Sequence, residues 1–349
     1  MSSQVVEHLA ELTGLRDRDV LDTTLVGALR ELLGPESVAI YRAVGEGDDR
    51  RWMTRARHAA GEASATADSM WADLTELPTL DDHPERADCL HRQAPFTVDG
   101  TPARAYFPLA NEFEVFGVLE LHTRIALSSE QLRLVSSILR IYRNFQGLLD
   151  YSERDTLTGL LNRKTFDESF LRIVAQLHAV AQPAQIFTER RQHGPAEGLG
   201  KGWLAVLDID HFKRVNDNYG HLIGDEVLLL LSRLMRSSFR LHDQLYRFGG
   251  EEFVVLLRCG SEGDALAAFE RFRGNVERYA FPQVGRTTVS IGLSDLRVGD
   301  TPSAAFERAD KAVYWAKQNG RNRVAYHADL VHQGLLAEAA AENRDAELF

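Results

Sequence analysis

Two adjacent glycines between two apolar runs place the strongest constraint on how this chain folds. The stretch LYRFGGEEFVVLL, residues 245–257, contains two β-strand patterns that meet at Gly249 and Gly250. A reversal this tight needs residues that adopt positive φ, so the sequence predicts an antiparallel hairpin. The turn also carries Glu251 and Glu252. Because neighbouring carboxylates repel each other and do not stabilise a core, we expect a cation beside them, either a metal ion or a substrate's counter-ion.

Length and charge limit the classes of protein to consider. The 349 residues exceed what one hydrophobic core usually serves, so we expect two domains. The formal net charge is −11 and the sequence has no basic stripe, which argues against duplex nucleic acid as a binding partner. No apolar run reaches the ~20 residues needed to cross a bilayer, and the start of the chain lacks a leader pattern, so we expect a cytoplasmic protein without a membrane partner. The two cysteines, Cys89 and Cys259, are too far apart in sequence to indicate a disulfide framework or a zinc site, and we expect inert buried thiols.

The N-terminal half mixes helix and strand patterns and ends in a long helix. TTLVGALRELLG has a helical apolar face, SVAIYRAV alternates as a strand, and RAYFPLA and VFGVLELHT predict two more strands joined at Asn111-Glu112. Residues 61–92 predict loops and a short helix. A helix from about residue 128 to residue 152 carries two apolar stripes, one through Leu134 and Leu148 and the other through Leu132 and Leu149. Either one stripe packs on its own domain while the other meets a partner helix, or the helix is buried on two sides.

A second informative stretch is WLAVLDIDHFKRVNDNYGHLIGDEVL, residues 203–228. Residues 204–207 predict a central strand, and the period of two places Asp208 and Asp210 on the same side at its end. Asp210 is a candidate N-cap for the next helix, whose first backbone amides, at His211 and Phe212, would bind an anion. The alternative is a strand that ends in solvated acids beside a capped helix. If the hairpin and this strand share a sheet, a divalent cation fits between Asp208 and Glu251. The polar stretch 181–202 predicts a surface loop.

Five ordered blocks resemble one known family. They are DTLTGLLNR at 155–163, DIDHFKRVNDNYGHLIGDEVL at 208–228, GGEEF at 249–253, VSIGL at 289–293 and ADKAVYWAKQNGRNRV at 309–324. Together they resemble the GGDEF-type diguanylate cyclases, here with a GGEEF variant. The N-terminal order of helix, strands and closing helix resembles a GAF-type sensory domain. We therefore expect an α/β (α+β) protein with residues 1–127 as a GAF-like domain, 128–154 as a connecting signalling helix, 155–327 as a GGDEF catalytic domain with a palm-like cyclase fold, and 328–349 as a tail.

The resemblance implies a reaction and a set of residues that carry it. The reaction joins two GTP molecules into cyclic di-GMP with loss of two pyrophosphates, uses Mg²⁺ with Mn²⁺ as a possible substitute, and requires a homodimer. The implied metal ligands are Asp208, the Ile209 carbonyl, Glu251 and Glu252. Catalytic roles fall to Glu251 as proton acceptor, to Glu252, and to Lys317 and Arg321 on the β- and γ-phosphates. The implied substrate-binding residues are Asn216 and Asp225 at the guanine edge, His211, Phe212 and Lys213 near the phosphates, and Gly249 and Gly250 beneath the nucleotide.

A product-inhibition site is also implied by the resemblance. Arg240 and Asp243 form an RxxD pattern five residues before the two glycines, with Arg271 or Arg273 as a further contact.

Lys317 and Arg321, four residues apart, are expected on one helical face. Two alternatives stay open at this point. One is a degenerate receptor that binds cyclic di-GMP without turnover, and the other is a cyclase that makes a mixed cyclic dinucleotide.

Overall fold

The computed structural model divides into two compact units, residues 1–152 and residues 153–349. It describes residues 18–45, 47–68, 74–111, 115–181, 201–240 and 242–337, together with residues 7 and 10. Within the described part of the chain, no helix combines the length and the apolar composition that crossing a bilayer requires.

The first unit is built on a five-stranded antiparallel sheet with the order β2-β1-β5-β4-β3. Its elements are α1 (Arg18–Leu33), β1 (Ser37–Val44), β2 (Arg51–Ala59), α2 (Pro84–Arg92), β3 (Phe96–Val98), β4 (Ala103–Ala110), β5 (Val115–Thr123) and α3 (Ser129–Glu153). Short 3₁₀ turns occupy Gly47–Asp49 and Leu74–Glu76. Helices α1 and α3 pack on one face of the sheet and α2 on the other, because alternate strand residues point to opposite faces.

Helix α3 buries most of one predicted stripe and, at Ile138, part of the other. Val135, Leu139, Tyr142 and Leu149 are buried, whereas Leu148 of the other stripe is 66% exposed. The Tyr142 hydroxyl donates a hydrogen bond to the fully buried carboxylate of Asp22 on α1, so a polar contact also fixes this helix to the unit. Leu134 and Phe145 of the stripe that contains Leu148 also pack against the core of this unit, so that stripe is partly buried.

The second unit is a three-layer α/β structure around a six-stranded mixed sheet with the order β13-β12-β7-β9-β8-β6. Its elements are β6 (Leu161–Asn162), α4 (Arg163–Ala181), β7 (Lys201–Ile209), α5 (Phe212–Tyr219), α6 (His221–Ser238), β8 (Gln244–Gly249), β9 (Glu252–Cys259), α7 (Glu262–Arg278), β10 (Ala280–Phe281), β11 (Gly285–Arg286), β12 (Val289–Asp295), α8 (Pro302–Gln318), β13 (Val324–Tyr326) and α9 (His327–His332). Helices α5, α6 and α7 cover one face of the sheet, and α4 and α8 cover the other.

The predicted hairpin is confirmed. Strands β8 and β9 pair antiparallel, with Gly249 opposite Glu252 and a register shift between Arg247 and Gly249. Gly249 and Gly250 have φ values of 141° and 53°, which L side chains rarely adopt, so both positions require glycine.

Two sequence expectations about boundaries need correction. The predicted loop at 181–202 overlaps regular structure at both ends, because α4 continues to Ala181 and β7 begins at Lys201; residues 182–200 lie outside the described residues. Burial was expected for both cysteines, but only Cys89 is buried, and Cys259 is partly exposed at the end of β9.

Candidate active site

The centre of the candidate site is Asp208, near the end of β7. Strand β7 lies between β12 and β9, and Asp208 stands opposite Ser290 on one neighbour and Glu252 on the other. The residue is only 6% exposed. Its Oδ2 lies 2.7 Å from the Lys317 ammonium nitrogen, while its Oδ1 is buried with no hydrogen-bond partner. Burial raises the pKa of Asp208, and the Lys317 ion pair opposes that rise.

Glu251 and Glu252 share the electrostatic environment of Asp208. Burial raises the pKa of Glu251, and the negative charge of Asp208 raises it further. The pKa of Glu252 is raised by the same two causes in the same order. Such coupling requires proximity, so the hairpin turn and the end of β7 bring three acidic side chains into one electrostatic cluster.

The cluster suits a hard cation completed by a ligand from outside the chain. Among the described residues, no three acidic, histidine or cysteine side chains are grouped closely enough to enclose a metal ion. Mg²⁺ usually takes one or two carboxylates and fills its other positions with waters and substrate phosphates. The buried, unpartnered Oδ1 of Asp208 is a strong oxygen donor of this kind. The residues present therefore fit Mg²⁺ or Mn²⁺.

Asp210 does not cap the helix that follows it, contrary to the expectation from sequence. Its carboxylate accepts hydrogen bonds from the Thr288 hydroxyl (2.6 Å), the Ser290 hydroxyl (2.7 Å) and the Asn322 backbone amide (3.0 Å). A buried carboxylate needs several donors, and these three satisfy both of its oxygens. The N-cap position of α5 belongs to His211, at φ 60° and without a side-chain capping bond.

Lys317 and Arg321 do not share a helical face, which corrects a second expectation. Helix α8 ends at Gln318, and Arg321 has a φ of 58° in the turn beyond it. The Arg321 amide still bonds to the Ala316 carbonyl at 2.9 Å, which fixes the turn to the helix end. Gly320 and Asn322, also at positive φ, explain why the helix stops here.

The predicted guanine-reading residues lie where α5 meets α6. Asn216 is on α5 and half-buried, and Asp225 is exposed on α6, just after its first turn. The predicted phosphate-contacting residues are at the start of α5: His211 and Lys213 are exposed, whereas the Phe212 side chain is buried in the core. Phe212 therefore has only its backbone amide to offer an anion at this helix start.

Arg240 and Asp243 lie in the turn just before the start of β8, at the end of the strand away from the glycine turn. The Asp243 carboxylate accepts a 2.8 Å bond from the Arg240 amide, and the Asp243 amide donates to the Arg240 carbonyl at 3.0 Å. Burial raises the pKa of Asp243 to about 6, against the opposing effects of Arg240 and Arg271. Arg271 is thus close enough to act on Asp243. Arg273 instead forms ion pairs with Glu270 and Glu277. Of the two arginines that the sequence left as alternatives, Arg271 is therefore the better candidate for a contact near Asp243.

Three residues near the site escaped sequence reasoning. Arg247 donates to the Gly250 carbonyl at 2.9 Å and to Asp155 at 3.0 Å, so it holds the glycine turn to the start of the unit. The charge of Asp310 on α8 raises the pKa of both Asp208 and Glu252, and the charge of Arg163 lowers the pKa of Glu252. The spacing of Asp310 and Lys317, two helical turns apart, is the one signal that could have placed Asp310 here.

Comparison with known proteins gives one consistent family for this unit. Residues 184–323 match the family model described as "Diguanylate cyclase, GGDEF domain". The chain is similar to diguanylate cyclase DgcP of Pseudomonas aeruginosa, with 40% identity over 173 residues, which is 49% of this chain and 23% of that protein. It is also similar to response regulator PleD of Caulobacter vibrioides, with 35% identity over 211 residues, 59% of this chain and 42% of that protein.

A similar solved structure is the GGDEF domain of DgcB from Caulobacter crescentus, in complex with c-di-GMP. Its sequence identity is 31% and its TM-score 0.43, with 50% of this chain and 93% of that chain covered. The chain spans less than half the length of the two curated relatives named above, so the similarity concerns only part of each relative.

Proposed function

Residues 184–323 of this chain match the family model of the GGDEF domain, and on that premise we propose that the protein is a diguanylate cyclase. Each of two GTP molecules uses its 3′-oxygen to attack the α-phosphorus of the other. Two phosphodiester bonds form, two bonds between α- and β-phosphates break, and two pyrophosphates leave. The product is cyclic di-GMP, and the two hydroxyl protons pass to acceptors in the two sites.

The observation that carries this proposal is the state of Asp208. The carboxylate is buried beside two further acids, and one of its oxygens has no partner. Leaving a buried charged oxygen unpaired is costly, so such an atom indicates a ligand that the isolated chain lacks. A triphosphate with its counter-ion supplies that ligand.

Metal and phosphate roles are assigned here to the residues that the family resemblance implies. Asp208 and Glu251 would hold Mg²⁺, which neutralises phosphate charge and polarises the phosphorus when bound, and the family resemblance adds the Ile209 carbonyl and Glu252 as further ligands. Lys317 and Arg321 stabilise the negative charge that develops on the departing pyrophosphate. The amides at the start of α5 face the same charge, with Lys213 as an added cation.

Proton transfer and base recognition use other residues of the chain. Glu251, on the hairpin turn, accepts the proton of the attacking 3′-hydroxyl, and the side-chain-free Gly249 and Gly250 let the nucleotide lie against the backbone. Asp225 accepts from the guanine N1 and N2 hydrogens, which adenine cannot offer in the same arrangement, and Asn216 bonds beside it. The substrate is therefore GTP rather than ATP.

The chemistry requires two copies of the domain. One site positions one GTP, so the second 3′-oxygen must come from a facing partner. We place the homodimer contact along α3 and the first unit, which we propose to be a GAF-like sensory domain on the basis of its five-stranded antiparallel sheet with helices on both faces. A signal in that unit would then bias how the two catalytic domains meet.

Product inhibition is proposed at Arg240 and Asp243, with Arg271 as a third contact. Arginine binds phosphate or guanine through its fork of donors, and the carboxylate accepts from guanine N–H groups. Burial raises the pKa of Asp243, and the opposing effects of Arg240 and Arg271 indicate that both guanidinium groups lie near this carboxylate, which a common ligand would require.

A product assay tests the proposal directly. Purified protein, stripped of bound nucleotide, is incubated with GTP and Mg²⁺, and the nucleotides are separated by chromatography. We expect cyclic di-GMP at one molecule per two GTP consumed and none from Asp208→Asn. A protein that binds cyclic di-GMP but forms none from GTP would be a receptor instead, and a mixed ring from combined GTP and ATP would contradict the base assignment.

A further inference from the structure

Gly224 occupies a position in the first turns of α6 where glycine has no conformational advantage. It lies within the helix, is buried, and is absent from the residues with positive φ. Glycine inside a helix costs ~1 kcal/mol relative to alanine. A buried helical glycine therefore needs a packing reason.

That reason is the side chain of Asn216. A Cβ atom built at Gly224 would lie 2.0 Å from Asn216 Oδ1 and 3.1 Å from Asn216 Cγ, with Phe212 Cζ next at 3.4 Å. Contacts below 3.0 Å do not occur for real Cβ atoms, so any larger residue forces the carboxamide to move. The carboxamide thus fills the volume that a side chain at position 224 would take.

Backbone hydrogen bonds fix the junction of the two helices, so the Asn216 side chain rather than the backbone would move to relieve the clash. The Gly220 amide bonds to the Asn216 carbonyl at 2.9 Å, and the Gly224 amide bonds to the Gly220 carbonyl at 3.2 Å, so two backbone hydrogen bonds tie α5 to α6. The Asn216 side chain makes no hydrogen bond to another described residue. Fit against Gly224, rather than a bonding partner, therefore fixes the position of its donor and acceptor atoms.

We infer that Gly224 is a positioning residue for nucleobase recognition: its missing side chain seats the Asn216 carboxamide at the guanine edge. The inference rests on the proposed function, because it takes GTP as the substrate. Hydrogen bonds weaken steeply with displacement and angle, so a shift of about 1 Å in the carboxamide breaks its contact with the base. Asp208, Glu251 and Lys317 stand on other elements and keep their places.

The test is a double-mutant cycle in the full-length protein, with KM and kcat for GTP as readouts. The variants are Gly224→Ala, Asn216→Ala and the double variant, and Gly263→Ala on α7 is the matched control because its Cβ would meet nothing closer than 3.7 Å. We expect Gly224→Ala and Asn216→Ala each to raise KM about tenfold, with kcat within about threefold of the original. The double variant should match Asn216→Ala alone, since the space for the new methyl group is then open.

Each outcome bears on a different statement. Additive effects of the two substitutions, or an unchanged KM in Gly224→Ala, overturn the positioning role while the cyclase assignment stands. No product from the unaltered protein defeats the proposed function itself, and an unchanged KM in Asn216→Ala defeats the base assignment. If Gly224→Ala unfolds, restored folding in the double variant supports the contact with Asn216, and continued unfolding assigns Gly224 to packing alone and overturns the inference.

Discussion

At the scale of single residues, Lys317 and a bound cation would compete for the carboxylate of Asp208. Lys317 pairs with Oδ2 of Asp208, while Oδ1 has no partner. In the ligand-free chain the lysine partly neutralises the acidic cluster. A cation bound with a triphosphate would take over that neutralisation and release the ammonium group to the phosphates. The proposed mechanism therefore gives Lys317 one partner before substrate binds and another afterwards.

Replacing Lys317 tests this exchange. Lys317→Ala should lower kcat by about 10²–10³, the usual cost of removing one group that stabilises transition-state charge. Lys311→Ala is the control, because Lys311 lies on the same helix and makes an exposed ion pair with Glu307 at 2.7 Å. Steady-state turnover of GTP measures both, and equal losses in the two variants would contradict a specific role for Lys317.

Asp243 makes stability depend on pH. Its pKa of about 6 in the folded chain exceeds the ordinary value of 3.8, so the folded state binds a proton more tightly than the unfolded state. The neutral carboxyl therefore adds stability below pH 3.8 that is lost as the pH rises through 6. In Asp243→Asn this loss should disappear, and the variant should gain about 2 kcal/mol relative to the original protein between pH 4 and pH 7. Urea unfolding at both pH values measures the difference, and parallel pH profiles would disprove it.

At the scale of secondary-structure elements, a close approach of one helix to the sheet delivers Lys317 to Asp208. Helix α8 packs over β12 at Gly292, where an added Cβ would lie 2.1 Å from the Ala309 carbonyl oxygen and 2.4 Å from the Val313 amide nitrogen. Both are backbone atoms, so no side-chain rotation relieves the clash. Gly292, the glycine of the VSIGL block, thus determines how closely the helix that carries both Asp310 and Lys317 approaches the sheet.

Gly292→Ala should therefore affect stability and catalysis together. Overpacking of this kind should lower the free energy of unfolding by about 1–3 kcal/mol. Because the clash is with the helix backbone, helix α8 must also move away from the sheet and carry Lys317 with it. Gly147→Ala on α3 is a control whose Cβ meets nothing within 4 Å. Chemical unfolding and GTP turnover report the two effects, and a Gly292→Ala protein with unchanged turnover would show that the helix position is not critical.

At the scale of the whole molecule, the proposed activity depends on a second copy of the chain. Helix α3 presents Leu148 and Tyr151 with 66% and 79% of their surfaces exposed, although its opposite stripe is buried. Large apolar groups that stay in water are candidates for a partner contact. We propose that these two residues lie in the homodimer interface, which links the sensory unit to productive pairing.

Concentration dependence tests the dimer. Activity per molecule should rise with protein concentration, and Leu148→Asp with Tyr151→Asp should weaken the dimer at least about tenfold, since each buried side chain of this size contributes about 1.5–3 kcal/mol. Leu171→Asp is the control, because Leu171 is also more than half exposed but lies on α4. Sedimentation velocity and turnover are measured on the same samples. Full activity in a purely monomeric sample would reject the proposal.

Short-range patterns were enough to predict the β8–β9 hairpin, strand β7 ending in acidic residues, and the long helix α3. Each of these follows from interactions among neighbours: glycine at positive φ, side-chain alternation along a strand, and apolar spacing along a helix. The five motif blocks also resemble the family whose model matches residues 184–323. Local chemistry was a sufficient guide because these features require no distant partner.

The partners of individual side chains could not be read from the chain in the same way. Asp210 bonds to Thr288, Ser290 and Asn322, which lie 78 to 112 residues away, rather than to the nearby helix start. Arg247 joins the glycine turn to Asp155 across 92 residues. Strand order brings these groups together, and it depends on how the apolar faces of all elements are buried at once. Where a buried charge can accept hydrogen bonds from residues distant in sequence, those bonds outweigh the local preference of the residue for a helix cap.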